Sequence, residues 1–212
     1  MSDNSSYITH NNQYMESSAL LRETEIHKNN NISPILYKTD MPHGKILDSN
    51  NFEVCVDIGS GTGWLANHLV NNRNFKKVYA IEPSIAAINI AKKIYGEDGR
   101  IVYINGLAEE VIPNLKIDVP IFISTMTVLA HLPNNIVEKI IQSLTSIAKV
   151  GSVYCASEPW GETFTYPLWN IRDKDEWTNI LNGWKIDFEE TYPLPWPNDC
   201  IRYKGFSAIK RG

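Results

Sequence analysis

The sequence predicts an α/β fold built on a mostly parallel sheet, and three observations support this. Short apolar runs alternate with amphipathic helical patterns between residues 52 and 157. A glycine-rich turn follows the first apolar run, at residues 59–63. Two strand-like stretches with prolines between them close the chain. Strands that alternate with helices are typical of βαβ units, so we expect a parallel sheet with an antiparallel pair at its end.

The predicted elements follow this rhythm in chain order. The apolar runs that predict parallel strands are Phe52–Ile58, Lys77–Ile81, Arg100–Ile104, Val119–Met126 and Ser152–Ser157. The helical patterns between them cover 64–72, 84–95, 108–115 and 134–148. A short helix around 173–182 and strands over 184–192 and 200–209 follow.

Two of the helical patterns are clear amphipathic helices. The pattern over 84–95 places Ile85, Ile88, Ala91 and Ile94 on one face, with Ser84 as the N-cap. The pattern over 134–148 places five apolar residues inward: Ile136, Ile140, Ile141, Leu144 and Ile147.

Length and composition set the class of protein. The chain has 212 residues, of which 43% are hydrophobic and 21% charged, as in an ordinary soluble domain. The net charge of −4 disfavours a dedicated nucleic-acid binder, which needs basic residues to neutralise phosphates. The cysteines Cys55, Cys155 and Cys200 form no CxxC pair, so we expect neither a disulfide framework nor a zinc site.

The first 50 residues form a separate N-terminal segment in this prediction, before a domain over 51–212. Residues 1–15 are polar and expected to be disordered, 16–28 could form a short helix, and 29–51 is expected to be loop. No signal peptide or membrane-spanning run is recognised, so a cytoplasmic location is expected. The segment could form a lid over the active site.

The glycine-rich turn carries the strongest functional signal. Gly59, Gly61 and Gly63 follow an apolar run that ends in Asp57-Ile58, and a helix comes next. Glycines there allow a sharp turn and a close approach of the backbone to a ligand. The dinucleotide fingerprint has its third glycine where Trp64 stands here. The Asp57 carboxylate would oppose a pyrophosphate, and it suits a ligand that carries an amino group.

A second carboxylate ends the second predicted strand. Glu82 lies 23 residues after Gly59, where a carboxylate can accept hydrogen bonds from ribose hydroxyls. A nicotinamide enzyme would use this residue too, so Glu82 alone does not discriminate. Together, Asp57 and Glu82 describe a ligand with a ribose and an ammonium group, and S-adenosylmethionine has both.

These residues lie in stretches that resemble a known family. VCVDIGSGTGWLA and VYAIEPS are similar to motifs I and II of the class I S-adenosylmethionine-dependent methyltransferases. The resemblance continues to the end of the chain through IVYINGLAEEV, FISTMTVLAHLP and VGSVYCASEPW. It implies a Rossmann-like, doubly wound seven-stranded sheet of order 3-2-1-4-5-7-6 with strand 7 antiparallel. It also implies S-adenosylmethionine as cofactor, S-adenosylhomocysteine as product, and no metal.

The resemblance also implies which residues bind the cofactor. Asp57, Gly59 and Gly61 fall near its methionine part, Glu82 on the ribose, and Leu107 with Ala108 beside the adenine. The other members of the predicted cofactor site are Ser60, Gly63, Trp64, Pro83 and Thr125. Two of these positions have alternatives. Leu107 could be ordinary core, and Trp64 could pack between helix and sheet rather than face the sulfonium.

The acceptor side is predicted from position at the carboxyl ends of strands. His131, after the fourth strand, could orient an acceptor or accept its proton, or it could be architectural. Glu158, after the fifth strand, is the other candidate for catalysis. Trp160 and Tyr166 could line the substrate pocket, whereas Trp177 and Trp184 are expected in the core.

The predicted function is methyl transfer to an oxygen or nitrogen of a small molecule. The fourth strand lacks the Asn-Pro-Pro-Tyr type of motif used on nucleobase and amide nitrogens, and the charge is acidic. We therefore expect no nucleic-acid or membrane partner, and a monomer or homodimer. The alternatives are a protein or peptide methyltransferase, a nicotinamide-dependent oxidoreductase, and an inactive cofactor-binding partner subunit.

Overall fold

The computed structural model describes residues 42–158, 170–193 and 202–212. Its seven strands are β1 (Val54–Ile58), β2 (Lys77–Glu82), β3 (Ile101–Asn105), β4 (Ile121–Met126), β5 (Val153–Glu158), β6 (Trp184–Pro193) and β7 (Arg202–Lys210). The described helices are α1 (Pro42–Ser49), α2 (Trp64–Asn72), α3 (Ile85–Tyr95), α4 (Ala108–Val111), α5 (Asn134–Ile147) and α6 (Lys174–Ile180). Short 3-10 helices cover Ile112–Asn114 and Leu129–His131.

The strands form one sheet of order β3-β2-β1-β4-β5-β7-β6. The first five strands pair in parallel, and β7 runs antiparallel to both β5 and β6. This confirms the expected fold and strand order. In a parallel sheet the carboxyl ends of neighbouring strands meet at one edge, so Asp57, Glu82 and Glu158 lie at the same edge of this sheet.

Each face of the sheet carries its own apolar core. On one face, Val56 and Ile58 of β1 belong to a cluster that includes the inward side of α5 and Trp177 of α6. On the other face, Cys55 belongs to a cluster with Leu65 and Leu69 of α2. Alternate residues of β1 therefore serve opposite layers, as the period of a strand requires.

Three local predictions differ from the structure. Residues 42–49, expected to be loop, form the helix α1, and Leu47 of that helix is buried against the layer of α2. The predicted inward face of α3 includes Ile85, which is 56% exposed; the buried residues are Ala87, Ile88 and Ala91. Ile85 is the first residue of the helix, at its end rather than over the sheet. The pattern over 108–115 divides into α4 and a 3-10 turn.

Some expectations concern residues outside the described ranges. The helix predicted over 16–28 and the lid formed by the N-terminal segment fall there, apart from α1. Among the described residues, no helix combines the length and the apolar composition needed to cross a membrane.

Candidate functional site

The glycine-rich loop is tied to the second strand at the carboxyl edge of the sheet. The N–H groups of Gly59 and Ser60 both donate to the carbonyl of Ile81, at 2.9 and 3.1 Å. The loop then closes on itself through the bond from Gly63 N to the Ser60 carbonyl, 2.9 Å. The helix α2 begins directly afterwards, without a side-chain N-cap. The N–H groups of the first turn of a helix point toward its N-terminus, and α2 starts at the carboxyl edge of the sheet. These N–H groups therefore point toward the edge at which the predicted cofactor would lie.

Glycine is required at two loop positions because of protein contacts as well as backbone conformation. Gly59 has φ +67°, and a Cβ there would lie 2.4 Å from Cγ2 of Val128. Gly63 has φ +74°, and its Cβ would lie 2.9 Å from both the Ala91 Cβ and the Tyr103 hydroxyl. The sequence analysis explained these glycines by a sharp turn and by the close approach of a ligand, and not by a contact within the protein. The contact of Gly59 with Val128 links this loop to the segment that follows β4.

Glu82 fixes the loop from the end of β2. Its Oε2 accepts the N–H of Gly61 at 3.0 Å, and its Oε1 accepts the N–H of Ser84 at 2.9 Å. Burial raises the pKa of this carboxyl, and the two backbone N–H groups oppose the rise. A carboxylate offers about four acceptor positions. Each oxygen of Glu82 therefore keeps capacity for a further donor, such as a ribose hydroxyl.

Asp57 is the second buried carboxyl at this edge. The side chain is 3% exposed, and its Oδ2 has no hydrogen-bond partner among the described residues. Burial, with the charge of Glu82 second, raises the pKa of Asp57 from 3.8 to about 8. A buried polar atom without a partner costs free energy, and a bound cationic amino group would remove that cost.

Tyr103 is a second buried polar group close to Asp57, and the sequence analysis did not single it out. Ala80 pairs with Asp57 on one side and with Tyr103 on the other, so the three residues form a row across β1, β2 and β3. The Tyr103 hydroxyl has no partner among the described residues. Burial, Tyr95 and Asp57 raise its pKa to about 12, so the group stays an O–H donor.

The adenine-side candidates lie at the ends of β2 and β3. Leu107 precedes α4 and is half-buried, outside both core clusters of the described chain. Ala108 is buried in the core on the α5 face. The Pro83 carbonyl accepts a hydrogen bond from the Asn105 amide at 2.8 Å, which fixes the connection after β2.

Two further cofactor candidates have contacts within the protein. The Trp64 ring stacks on the His68 imidazole, with centroids 5.4 Å apart, and packs on the core around α2. This is the arrangement of the packing alternative. The Thr125 hydroxyl is buried and lies 2.8 Å from the Tyr154 hydroxyl, on the α5 face of the sheet. Asp57 projects to the opposite face, so these contacts do not favour Thr125 as a cofactor ligand.

The acceptor side is built around the turn after β4. His131 is half-buried and ends the 3-10 helix Leu129–His131. Glu158, fully buried at the end of β5, accepts the N–H groups of Val128, Leu129 and Ala130 at 3.0, 3.1 and 3.0 Å. Burial raises the pKa of Glu158, and these bonds oppose the rise. The carboxylate is thus used inside the protein, a geometry that does not favour Glu158 as a base for an acceptor.

Arg172 holds the same turn from the other side, and sequence analysis missed it. The guanidinium donates to the carbonyls of Leu129 and Leu132, at 2.9 and 2.7 Å, and to Oδ1 of Asn134 at 3.0 Å. The residue is 1% exposed. These contacts span 38 to 43 residues of sequence, so no local pattern announces them.

Four aromatic residues were also predicted, two for the substrate pocket and two for the core. Trp160 and Tyr166 lie outside the described residues. The expected core residues Trp177 and Trp184 are 1% and 6% exposed, as predicted. Within the described ranges, no group of three or more His, Cys, Asp or Glu side chains is arranged to bind a metal ion.

The fold and the glycine-rich edge define a Rossmann-like methyltransferase architecture. A family model described as a methyltransferase domain matches residues 55–151, from β1 to the turn before β5. The match covers somewhat less than half of the chain, and it agrees with the resemblance that the sequence motifs indicated. No curated protein sequence matches the chain.

Solved structures share this fold at low sequence identity. TehB from Haemophilus influenzae has a TM-score of 0.66 and 16% identity, over 88% of this chain and 66% of TehB. Magnesium protoporphyrin IX methyltransferase from Synechocystis, solved with bound S-adenosylmethionine, has a TM-score of 0.60 and 16% identity, over 97% of both chains. CalS10, an amino pentose methyltransferase from Micromonospora echinaspora, has a TM-score of 0.61 and 12% identity, over 79% of this chain and 88% of CalS10. This chain thus spans just under two thirds of TehB.

Proposed function

We propose that this protein is an S-adenosylmethionine-dependent methyltransferase that acts on an oxygen or nitrogen of a small molecule. The observation that carries the proposal is the edge formed by β1 and β2. A buried carboxyl with an unpartnered oxygen, Asp57, lies beside a glycine-rich loop that Glu82 holds in place. This set suits a ligand with both a cationic amino group and a ribose.

The residues at this edge fit the cofactor in chemical terms. The Asp57 carboxylate would accept a hydrogen bond from the amino group. The positive charge of that group would lower the pKa of the carboxyl from about 8 and leave it ionised. Glu82 would accept ribose hydroxyls with its remaining lone pairs. Leu107 would contact the adenine with an apolar side chain. When bound, S-adenosylmethionine supplies a methyl group on a positively charged sulfur.

The protein's main contribution to the reaction would be orientation. A methyl transfer needs the acceptor atom in line with the methyl group, and correct placement can supply roughly 7–11 kcal/mol. His131 would face the acceptor and either orient it or accept its proton. Glu158 would not move a proton in this scheme, because its oxygens hold the backbone of the turn after β4.

Two structural neighbours support a small acceptor. They are methyltransferases of magnesium protoporphyrin IX and of an amino pentose, both small molecules.

The first experiment is isothermal titration of S-adenosylmethionine into the intact protein. We expect one binding event, lost in Gly61→Arg and weakened in Glu82→Ala. Gly99→Arg is the matched control, because Gly99 is exposed and a Cβ there has no neighbour within 4 Å. It should bind like the wild type. No heat with the folded wild-type protein would refute the proposal.

The second experiment measures transfer of a labelled methyl group. The protein is offered a panel of small alcohols, phenols and amines, and separately a peptide library. Deletion of residues 1–41 leaves α1 in place and tests the predicted lid. Turnover of a small acceptor that is lost on deletion supports the proposal. Turnover of peptides alone would replace it with a peptide methyltransferase, and binding without any turnover would favour an inactive subunit.

A further inference from the structure

The turn Val128–Leu132 lies between two buried side chains of opposite charge. Glu158 binds the N–H groups at the start of this turn, and Arg172 binds the carbonyls of Leu129 and Leu132. The N–H end of a helical turn carries partial positive charge and the carbonyl end partial negative charge. Each ionised group therefore meets the end of the turn that it stabilises, through charge-assisted hydrogen bonds.

This is a costly way to fill a protein interior. Glu158 and Arg172 are 0% and 1% exposed, and removing two ions from water costs several kcal/mol each before compensation. Apolar residues of similar volume could pack there without that cost. The hydrogen bonds of the charged pair are directional, so they hold the backbone of the turn in one geometry, which apolar packing would not do. Such a pair is suited to a segment whose position matters.

The turn connects the glycine-rich loop with His131. At its start, Val128 packs so closely on Gly59 that a Cβ at Gly59 would approach Val128 to within 2.4 Å. At its other end the 3-10 helix finishes with His131. A shift of the turn would therefore displace His131 relative to the glycine-rich loop.

The residue before the turn shows that the backbone is constrained. Thr127 has φ +53°, a left-handed conformation that β-branched residues rarely adopt. Its N–H donates to the Ser157 carbonyl at 2.8 Å, one residue before Glu158. Such strain persists where the surroundings over-determine the conformation.

We propose that Glu158 and Arg172 are positioning residues, which hold the turn Val128–Leu132 so that His131 and the glycine-rich loop keep a fixed relative position. The inference rests on the proposed function in one respect: the glycine-rich loop is taken as the methyl-donor side and His131 as the acceptor side. It assigns Glu158 a role in the reaction that acts through the backbone.

The test compares Glu158→Gln with Glu97→Gln, the same change at an exposed carboxylate that bonds only Lys92 in the described structure. Glutamine keeps the shape but presents an NH2 group to backbone N–H donors. We expect amide exchange at Val128, Leu129 and Ala130 to accelerate at least tenfold, with β1 and β2 unchanged. The affinity for S-adenosylhomocysteine should change less than threefold. Glu97→Gln should match the wild type.

A second readout reports on position rather than stability. In protein with labelled histidine, binding of S-adenosylhomocysteine should shift the His131 resonance, assigned with His131→Gln. Glu158→Gln should reduce that shift by at least half. Arg172→Lys, which keeps the charge but not the planar fork, should give an intermediate value. If Glu158→Gln unfolds, so that all amides exchange fast, the Arg172→Lys data decide.

Two results would overturn the proposal: unchanged exchange of the three turn amides in folded variants, or an undiminished His131 shift. The proposed function fails separately. Without any binding of S-adenosylhomocysteine by the wild type, the donor assignment is lost, while the exchange measurement still tests whether the two charges hold the turn.

Discussion

Glu82 and Glu158 are both buried carboxylates at the ends of strands on the same edge of the sheet, but they are used differently. Glu82 binds two backbone N–H groups and lies next to Asp57, which keeps an oxygen without a partner. Glu158 binds three backbone N–H groups of one turn, with Arg172 on the far side. Oxygens at the ends of β1 and β2 can thus accept further hydrogen bonds from a ligand, whereas the oxygens of Glu158 already accept hydrogen bonds from the protein's own backbone.

The difference teaches that burial of an acid at a strand end does not by itself mark a catalytic group. What distinguishes the two is whether the protein satisfies the oxygens. We expect ligands to bind beside Asp57 and Glu82. Substitutions at Glu158 and Arg172 should change the position and stability of the turn Val128–Leu132.

The largest expected effect is at the turn that Glu158 and Arg172 hold. Arg172→Met removes the buried donors to Leu129, Leu132 and Asn134, and it leaves Glu158 without an opposing charge. We expect the free energy of unfolding to fall by about 3–5 kcal/mol, measured by urea denaturation. Arg211→Met, at an exposed arginine near the end of the chain, should change it little. An Arg172→Met protein as stable as the wild type would mean that the turn does not need this charge.

The next effect concerns the contact between the two sides. Gly59→Ala adds a Cβ that meets Val128 and forces alanine into φ +67°. Overpacking and left-handed strain should together cost roughly 2–4 kcal/mol, seen in thermal unfolding, and weaken S-adenosylmethionine binding. The double variant Gly59→Ala with Val128→Ala should recover the packing part only. No recovery would show that the Val128 contact is unimportant.

A smaller effect is expected at Asp57, whose carboxyl has an oxygen without a partner among the described residues. With a pKa of about 8, Asp57 is mostly protonated at pH 6–7 in the free protein, and a cationic ligand needs it ionised. Binding therefore releases a proton, and affinity for S-adenosylhomocysteine should rise about tenfold from pH 6 to pH 7, measured by calorimetry. Asp57→Asn should bind weakly with less than a twofold change over that range. Equal pH dependence in both proteins would exclude Asp57 as the group that titrates.

The smallest effect separates side chain from backbone at the β2 edge. The Ser84 hydroxyl caps α3 by accepting the Ala87 N–H, while the Ser84 backbone N–H binds Glu82. Ser84→Ala should cost about 1 kcal/mol of stability by urea denaturation and leave cofactor affinity unchanged. A large loss of affinity would contradict the assignment of the Glu82 contact to the backbone.

The β1–β2 side was predictable because its residues lie close together in sequence or at a characteristic offset. Asp57 and the glycines are contiguous, and Glu82 ends the next strand, so the alternation of strands and helices already placed them together. The strand order followed from the family resemblance of the motifs.

The β4–β5 side was not predictable in the same way. The bonds from Glu158 to the turn span 28 to 30 residues, and Arg172 has no motif around it. The helix α1 was missed because its Asn-, Pro- and Gly-rich surroundings suggest loop, whereas the burial of Leu47 in the core beside α2 is a tertiary contact that the local sequence does not show. The exposure of Ile85 depends on where α3 begins relative to the sheet, which periodicity does not specify.

The most direct test of the central claim is amide hydrogen exchange by mass spectrometry with and without saturating S-adenosylmethionine. The claim is that the donor binds where β1 and β2 end. It predicts slower exchange in residues 57–63 and 82–84 on binding, and no such slowing in Gly61→Arg. Unchanged exchange in both segments, or protection confined to other parts of the chain, would contradict it.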